Sequence, residues 1–129
     1  MPDTAPRPKR PRVIVTRQLM PSVEARMSEL FDVTLSAHDQ AFTADELRAA
    51  VADCDVLVPT VTDRIDANIL AAAGERLKLI ANFGAGVDHI DLPAARAKGI
   101  LVSNTPGVFT EDTADLTMAL ILSVPRRLA

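Results

Sequence analysis

Five short apolar runs, Val13–Val15, Phe31–Leu35, Val56–Val58, Leu77–Ala81 and Ile100–Val102, alternate along this chain with stretches of helical period. Each strand–helix–strand passage takes roughly thirty residues, the length of a βαβ unit. Right-handed crossovers between such units predict an α/β fold: an open parallel five-stranded sheet with helices on both faces, flavodoxin-like in its layout. Composition agrees. With four Phe and no Trp or Tyr among 129 residues, the core must be Val, Leu, Ile and Ala, as strands buried on both faces require. That length supports one domain with a real core and is short for two.

Local signals place the elements. Pro21 opens a helix with Val23, Met27 and Leu30 on one side, and Phe31–Leu35 alternates like an edge strand. Thr43-Ala44-Asp45-Glu46 is a capping box for a helix reaching about Val51. Pro59 stops the third strand. Asp66 caps a helix expected to run through Ala73, with Gly74 at its C′ position. A short helix from Leu92 to Lys98 closes at Gly99, and Asn104-Thr105-Pro106-Gly107 supplies turn chemistry. Thr110 is expected to cap the last helix, with Glu111 and Asp112 favouring its dipole.

From Leu116 that last helix is apolar almost all round, so it needs burial on nearly every side. Two readings are open. Either it docks in its own domain, or this chain is part of a longer protein whose remainder, or a second subunit, covers it. The second is favoured, because one small sheet covers only one side of a helix.

Charge is uneven. The first twelve residues hold Arg7, Lys9, Arg10 and Arg12 against Asp3. Setting these aside from the 14 basic and 17 acidic residues leaves a body with ten and sixteen, a net of −6. An acidic body without interleaved aromatic and basic residues argues against nucleic acid. Residues 1–12, rich in Pro, are read as a solvated disordered tail, the other reading being a nucleic-acid arm. The lone Cys54 cannot form an internal disulfide, and Asp53 and Asp55 beside it raise a thiol pKa, which excludes a nucleophile. There is no signal-peptide core and no run of membrane-spanning length, so a cytoplasmic protein away from membranes is expected. With two scattered His and no clustered carboxylates, no metal site is expected.

The chemistry concentrates after the fourth strand, in Asn82-Phe83-Gly84-Ala85-Gly86-Val87-Asp88-His89-Ile90-Asp91. A strand ending in Gly-x-Gly brings bare backbone N–H groups to the top of a sheet, where they hold an anion. The dinucleotide fingerprint is not met: His89 stands where its third Gly belongs, and Asn104 where an acidic residue belongs. Gly84-Ala85-Gly86 is therefore an anion loop or, in the plainer reading, a turn required only for packing. A side chain at Gly86 is expected to block the approach of a ligand or to forbid a positive φ. A phosphoacceptor receiver domain is excluded by Pro59-Thr60 at the end of the third strand. A flavodoxin is excluded by the Gly-free segment Thr16–Pro21.

Three stretches, residues 82–91, residues 99–107, and Thr113-Ala114-Asp115-Leu116 leading to Arg126-Arg127, occur in the order found in one family. On them the chain resembles the D-isomer-specific 2-hydroxyacid dehydrogenases, in particular the glyoxylate/hydroxypyruvate reductase branch. The resemblance implies an NAD(P)-dependent oxidoreductase, transferring hydride between nicotinamide and a small 2-oxo or 2-hydroxy acid. NAD and NADP both stay open. Residues 13–109 then correspond to the first part of a substrate-binding domain. Residues 110–129 begin an apolar helix that crosses to a Rossmann domain, in a protein that is homodimeric. The family's Gly-x-Gly-x-x-Gly and its catalytic Arg, acid and His match no position here, so the chain alone is expected to be inactive. The amides of Ala85 and Gly86 are expected to hold the substrate carboxylate, and Ala85 and Thr113 to lie near the nicotinamide; Thr113 is equally readable as a plain helix residue. The family's catalytic His does not align with His89. Asp88 and Asp91 are read as caps of the helix at Leu92, His38 as exposed, and Arg126 and Arg127 as favouring a helix C-terminus. The alternative is a stand-alone small α/β binding or dimerisation module without catalysis.

Overall fold

The computed structural model describes residues 10–128. The chain runs β1 (Arg12–Val15), α1 (Pro21–Leu30), β2 (Asp32–Thr34), α2 (Ala44–Asp53), β3 (Val56–Val58), α3 (Ala67–Ala71), β4 (Leu79–Ala81), α4 (Leu92–Ala97), β5 (Leu101–Ser103) and α5 (Thr110–Arg126). All neighbouring strands pair in parallel, in the order β2-β1-β3-β4-β5, which is the flavodoxin-like doubly wound order. The strand runs read from sequence are all present, trimmed or shifted by one or two residues. Of the expected tail, only residues 10–12 are described, and Arg12 already belongs to β1.

Alternation along the strands divides the core between two faces. Ile14, Leu57 and Ile80 point to one side, where Leu47 and Val51 of α2, Ile69 and Leu70 of α3 and Ala95 of α4 pack on them. Val13, Val15 and Val58 point to the other, covered by Leu19, Met27 of α1 and Phe31. Leu30, expected beside Met27, is exposed and Phe31 takes its place. On this second face Leu101 of β5 is 71 % exposed.

Three expectations need correction. α3 ends at Ala71, short of Ala73. The N–H groups of Ala72 and Ala73 turn back to Ile69 and Leu70 in a tightened last turn. Gly74 is therefore not the C′ residue, and its φ is not positive. It is a glycine because α2 passes close by: a Cβ there would lie 2.6 Å from the Ala52 carbonyl oxygen. Thr110 does not cap α5. It is already the first helical residue, so its hydroxyl makes no capping bond; Phe109 is the N-cap, after a turn at Gly107 with φ 79°. Asp91, not Asp88, caps α4, accepting from the Ala94 amide. By contrast, the Thr43–Glu46 capping box, Asp66 as a cap and Gly99 in the left-handed region all occur as read.

Cys54 is buried, and its thiol is pushed up to about 11, mainly by that burial and only secondarily by Asp55 and Asp53. No residue of α5 is buried, and Leu116, Met118, Leu120, Ile121, Leu122 and Val124 are all exposed around it. No described helix is long and apolar enough to cross a membrane.

Gly74→Ala is expected to cost about 1–3 kcal/mol, since backbone oxygen cannot yield as a side-chain tip does. Urea unfolding checks this; a neutral substitution would show that α2 and the α3–β4 turn are not in close contact.

Candidate functional site

At the C-terminal ends of the strands, two loops lie side by side. The loop after β3 is bridged to the loop after β4 at Thr60–Phe83 and Ile65–Ile90. Phe83 N–H donates to the Pro59 carbonyl and Ile65 N–H to that of His89. The crest between β1 and β3, where a flavodoxin-like sheet ordinarily offers its crevice, is closed by the chain itself. Asp63, 1 % exposed, accepts from the Thr16 hydroxyl at 2.5 Å and the Thr60 amide at 2.9 Å. Its Oδ1 has no partner among the described residues.

Beyond β4 the pattern reverses, with carbonyls tied down and amides left outward. Gly84 O accepts from Thr105 N–H at 3.0 Å and from Asn82 Nδ2 at 3.0 Å. Ala85 O accepts from Asn104 Nδ2 at 2.7 Å, and Gly86 O from Asn82 Nδ2 at 2.9 Å. The next residue's N–H shares each of those peptide planes and, in a trans peptide, points the opposite way. There is no cis peptide in the described chain. Holding the Gly84 oxygen therefore turns out the Ala85 N–H, and holding the Ala85 oxygen turns out that of Gly86. Holding the Gly86 oxygen does the same for Val87. Among the described residues none of these three N–H groups has a partner. Ala85 and Gly86 are exposed.

Asn82 is the buried centre of this arrangement, 3 % exposed. Its Oδ1 faces His89 Nε2 at 2.9 Å. In the sequence Asn82 stands out only as part of a motif, and His89 only as the residue that stands in place of a fingerprint Gly and does not match the family's catalyst. The signal available is an Asn directly after a buried strand, followed seven residues later by a polar ring, too generic to assign. Of the two expectations for Gly86, the positive φ is not met, and no described residue beyond its chain neighbours lies within 4 Å of a Cβ built there. The steric demand is at Gly84, where a Cβ would lie 2.8 Å from Val61 Cγ1.

Thr113 lies in the first turn of α5, but its N–H is spent on the Phe109 carbonyl at 2.9 Å. Glu111 and Asp112 already answer the helix dipole there. What the structure brings to the Gly loop is instead the segment just before α5, through Asn104 and Thr105. An open groove of about 550 Å³ flanks the loop, lined by Val61, Thr62 and Arg64 and by the Asp88–Asp91 turn with Asp66. Carboxylates outnumber the single guanidinium, so formal charge on that flank opposes an anion. Attraction has to come from the oriented amides.

Comparison with known proteins identifies the family. Residues 13–120 match the family described as D-isomer specific 2-hydroxyacid dehydrogenase, catalytic domain. The chain is 42% identical over 119 residues to a glyoxylate reductase of Aeropyrum pernix, an alignment covering 92% of this chain and 35% of that protein. A crystal structure of a protein from Thermus thermophilus superposes with a TM-score of 0.78 at 47% identity, covering 91% of this chain and 37% of that one. An NADPH-dependent glyoxylate/hydroxypyruvate reductase of Sinorhizobium meliloti, solved with NADP and malonate, superposes at 0.69 with 32% identity, covering 89% and 34%. The chain thus spans about a third of the length of the relatives it matches.

Gly86→Ala is expected to be neutral or to stabilise by up to about 1 kcal/mol. Gly84→Ala is expected to cost about 1 kcal/mol, recovered when Val61→Ala is added. Urea unfolding of the three variants checks the assignment; a Gly86→Ala loss exceeding that of Gly84→Ala contradicts it.

Proposed function

The chain belongs to the D-isomer specific 2-hydroxyacid dehydrogenase family, and on that premise we propose that it is the substrate-holding part of an NAD(P)-dependent oxidoreductase acting on a small 2-oxo or 2-hydroxy acid such as glyoxylate or hydroxypyruvate. In this reading residues 13–109 are the first pass through the substrate domain, and 110–129 begin the helix that leads to a nucleotide-binding domain. The exposed apolar surface of α5 supports that role, since patches of that kind mark contact surfaces. A homodimer covering part of it belongs to the same proposal.

The observation that carries the reading is the pair of outward amides at Ala85 and Gly86, on a loop whose Gly84, Ala85 and Gly86 carbonyls are engaged. A carboxylate there takes charge-assisted bonds worth about 1.5–3 kcal/mol each. That fixes the acid end of the substrate and leaves its C2 carbon directed away from the loop. A dinucleotide fits these residues poorly. Its pyrophosphate needs a helix to start directly after the glycines, whereas here α4 begins only at Leu92. NAD or NADP is therefore bound mainly outside the described residues. In this reading Ala85 and Thr113 lie near its nicotinamide end. At Thr113 the hydroxyl, not the engaged N–H, is the group on offer.

Titrating the ¹⁵N-labelled chain with sodium glycolate, against sodium chloride at equal ionic strength, tests the proposal. The Ala85 and Gly86 amides are expected to shift most, with a Kd on the order of millimolar, because two such bonds barely exceed the entropy of association. The same chain with NADH or NADPH is expected to turn over no glyoxylate. Equal shifts with chloride, or shifts centred elsewhere, would remove the carboxylate from this loop.

A further inference from the structure

We infer that Asn82 and His89 form a positioning pair that sets the pose of the amide loop, an inference that rests on the carboxylate reading above for its use but not for its geometry. Both protons of the Asn82 amide are committed, one to the Gly84 oxygen and one to the Gly86 oxygen. The reversed amide would put Oδ1 against two carbonyl oxygens at about 3 Å, which has no hydrogen bond to offer. The amide orientation is thus fixed by the loop, and Oδ1 must face His89.

That leaves His89 one role. Facing an acceptor, its Nε2 carries the proton, so the neutral ring is the Nε2–H tautomer with Nδ1 unprotonated. The bond joins the two ends of the Phe83–His89 loop. The far end is anchored again where Ile65 N–H meets the His89 carbonyl and Ile90 N–H the Val87 carbonyl. Asn82, pinned in the ladder through its own N–H to Ser103 O at 2.9 Å, passes the sheet's rigidity to the loop. His89 closes the neck and keeps the buried Oδ1 satisfied. Because the peptide planes are rigid, a slip of the Asn82 amide frees the Val87 N–H to rotate and leaves the Ala85 plane held by the Thr105 N–H alone. Gly86, held through Asn104, is affected less.

His89→Met and His89→Gln separate packing from donation. Gln places its Nε2 at about the distance from Cβ that imidazole Nε2 occupies, whereas Met fills the space with no donor. Without ligand, His89→Met is expected to lower the ¹⁵N heteronuclear NOE at Ala85 and Val87 more than at Gly86, with the dispersion of the β-sheet amides unchanged. It is expected to weaken glycolate binding about fivefold, the loss of about one neutral hydrogen bond. His89→Gln is expected to restore both. Imidazole ¹⁵N shifts of the unsubstituted chain, which need no variant, are expected to report the Nε2–H tautomer. An Nδ1–H tautomer, or a His89→Met loop as ordered as the original, overturns the inference. Should the original chain fail to bind glycolate while His89→Met loosens the loop, the positioning pair stands and the carboxylate reading falls.

Discussion

A trans peptide cannot turn its oxygen inward without turning the following N–H outward, and the site in this protein depends on that constraint. Two asparagine side chains and one backbone N–H take up the oxygens of Gly84, Ala85 and Gly86. The donors are thereby aimed at solvent before any ligand arrives, so little reorganisation remains to be done on binding. Charge plays no part in this. The flank carries Asp66, Asp88 and Asp91 against Arg64, and the loop offers an anion only oriented dipoles.

The sheet supplies the rigidity. Asn82 follows β4 directly and is held in the ladder by β5, while the loop from β3 is clipped alongside at two bridges. Three helices seal the face under β3 and β4. The opposite face is sealed by α1 toward β1 and β2 and stays open at Leu101. A β5 face left open at Leu101 and an apolar helix with no buried residue share the C-terminal part of the described chain, the surfaces on which the proposed crossing to a further domain rests.

Much of this is legible from sequence where a single residue carries its own mechanism. Pro21 starts α1, the Thr43–Glu46 box starts α2, Asp66 and Asp91 cap α3 and α4, and Gly99 ends α4. The β-branched runs announce the strands. What stays hidden depends on contacts between segments distant in sequence. Gly74 looks like a helix terminator and is a close approach to Ala52. Gly84 and Gly86 look alike, and only Val61, from another loop, tells them apart. Asp63, which closes the β1–β3 crest with Thr16 and Thr60, has no local pattern. Thr110 fails as a cap because the turn at Gly107 brings the helix in one residue early. The amide loop itself is readable, but the side chains that orient it are not.

Residue-resolved amide hydrogen exchange of the ligand-free chain addresses the orientation of that loop most directly. Strong protection is predicted at Phe83 and Thr105, whose N–H groups are bonded to Pro59 and Gly84, and rates near those of an unstructured peptide at Ala85, Gly86 and Val87. Protection at those three comparable to that of their neighbours would mean the amides face inward, and the central claim would be wrong.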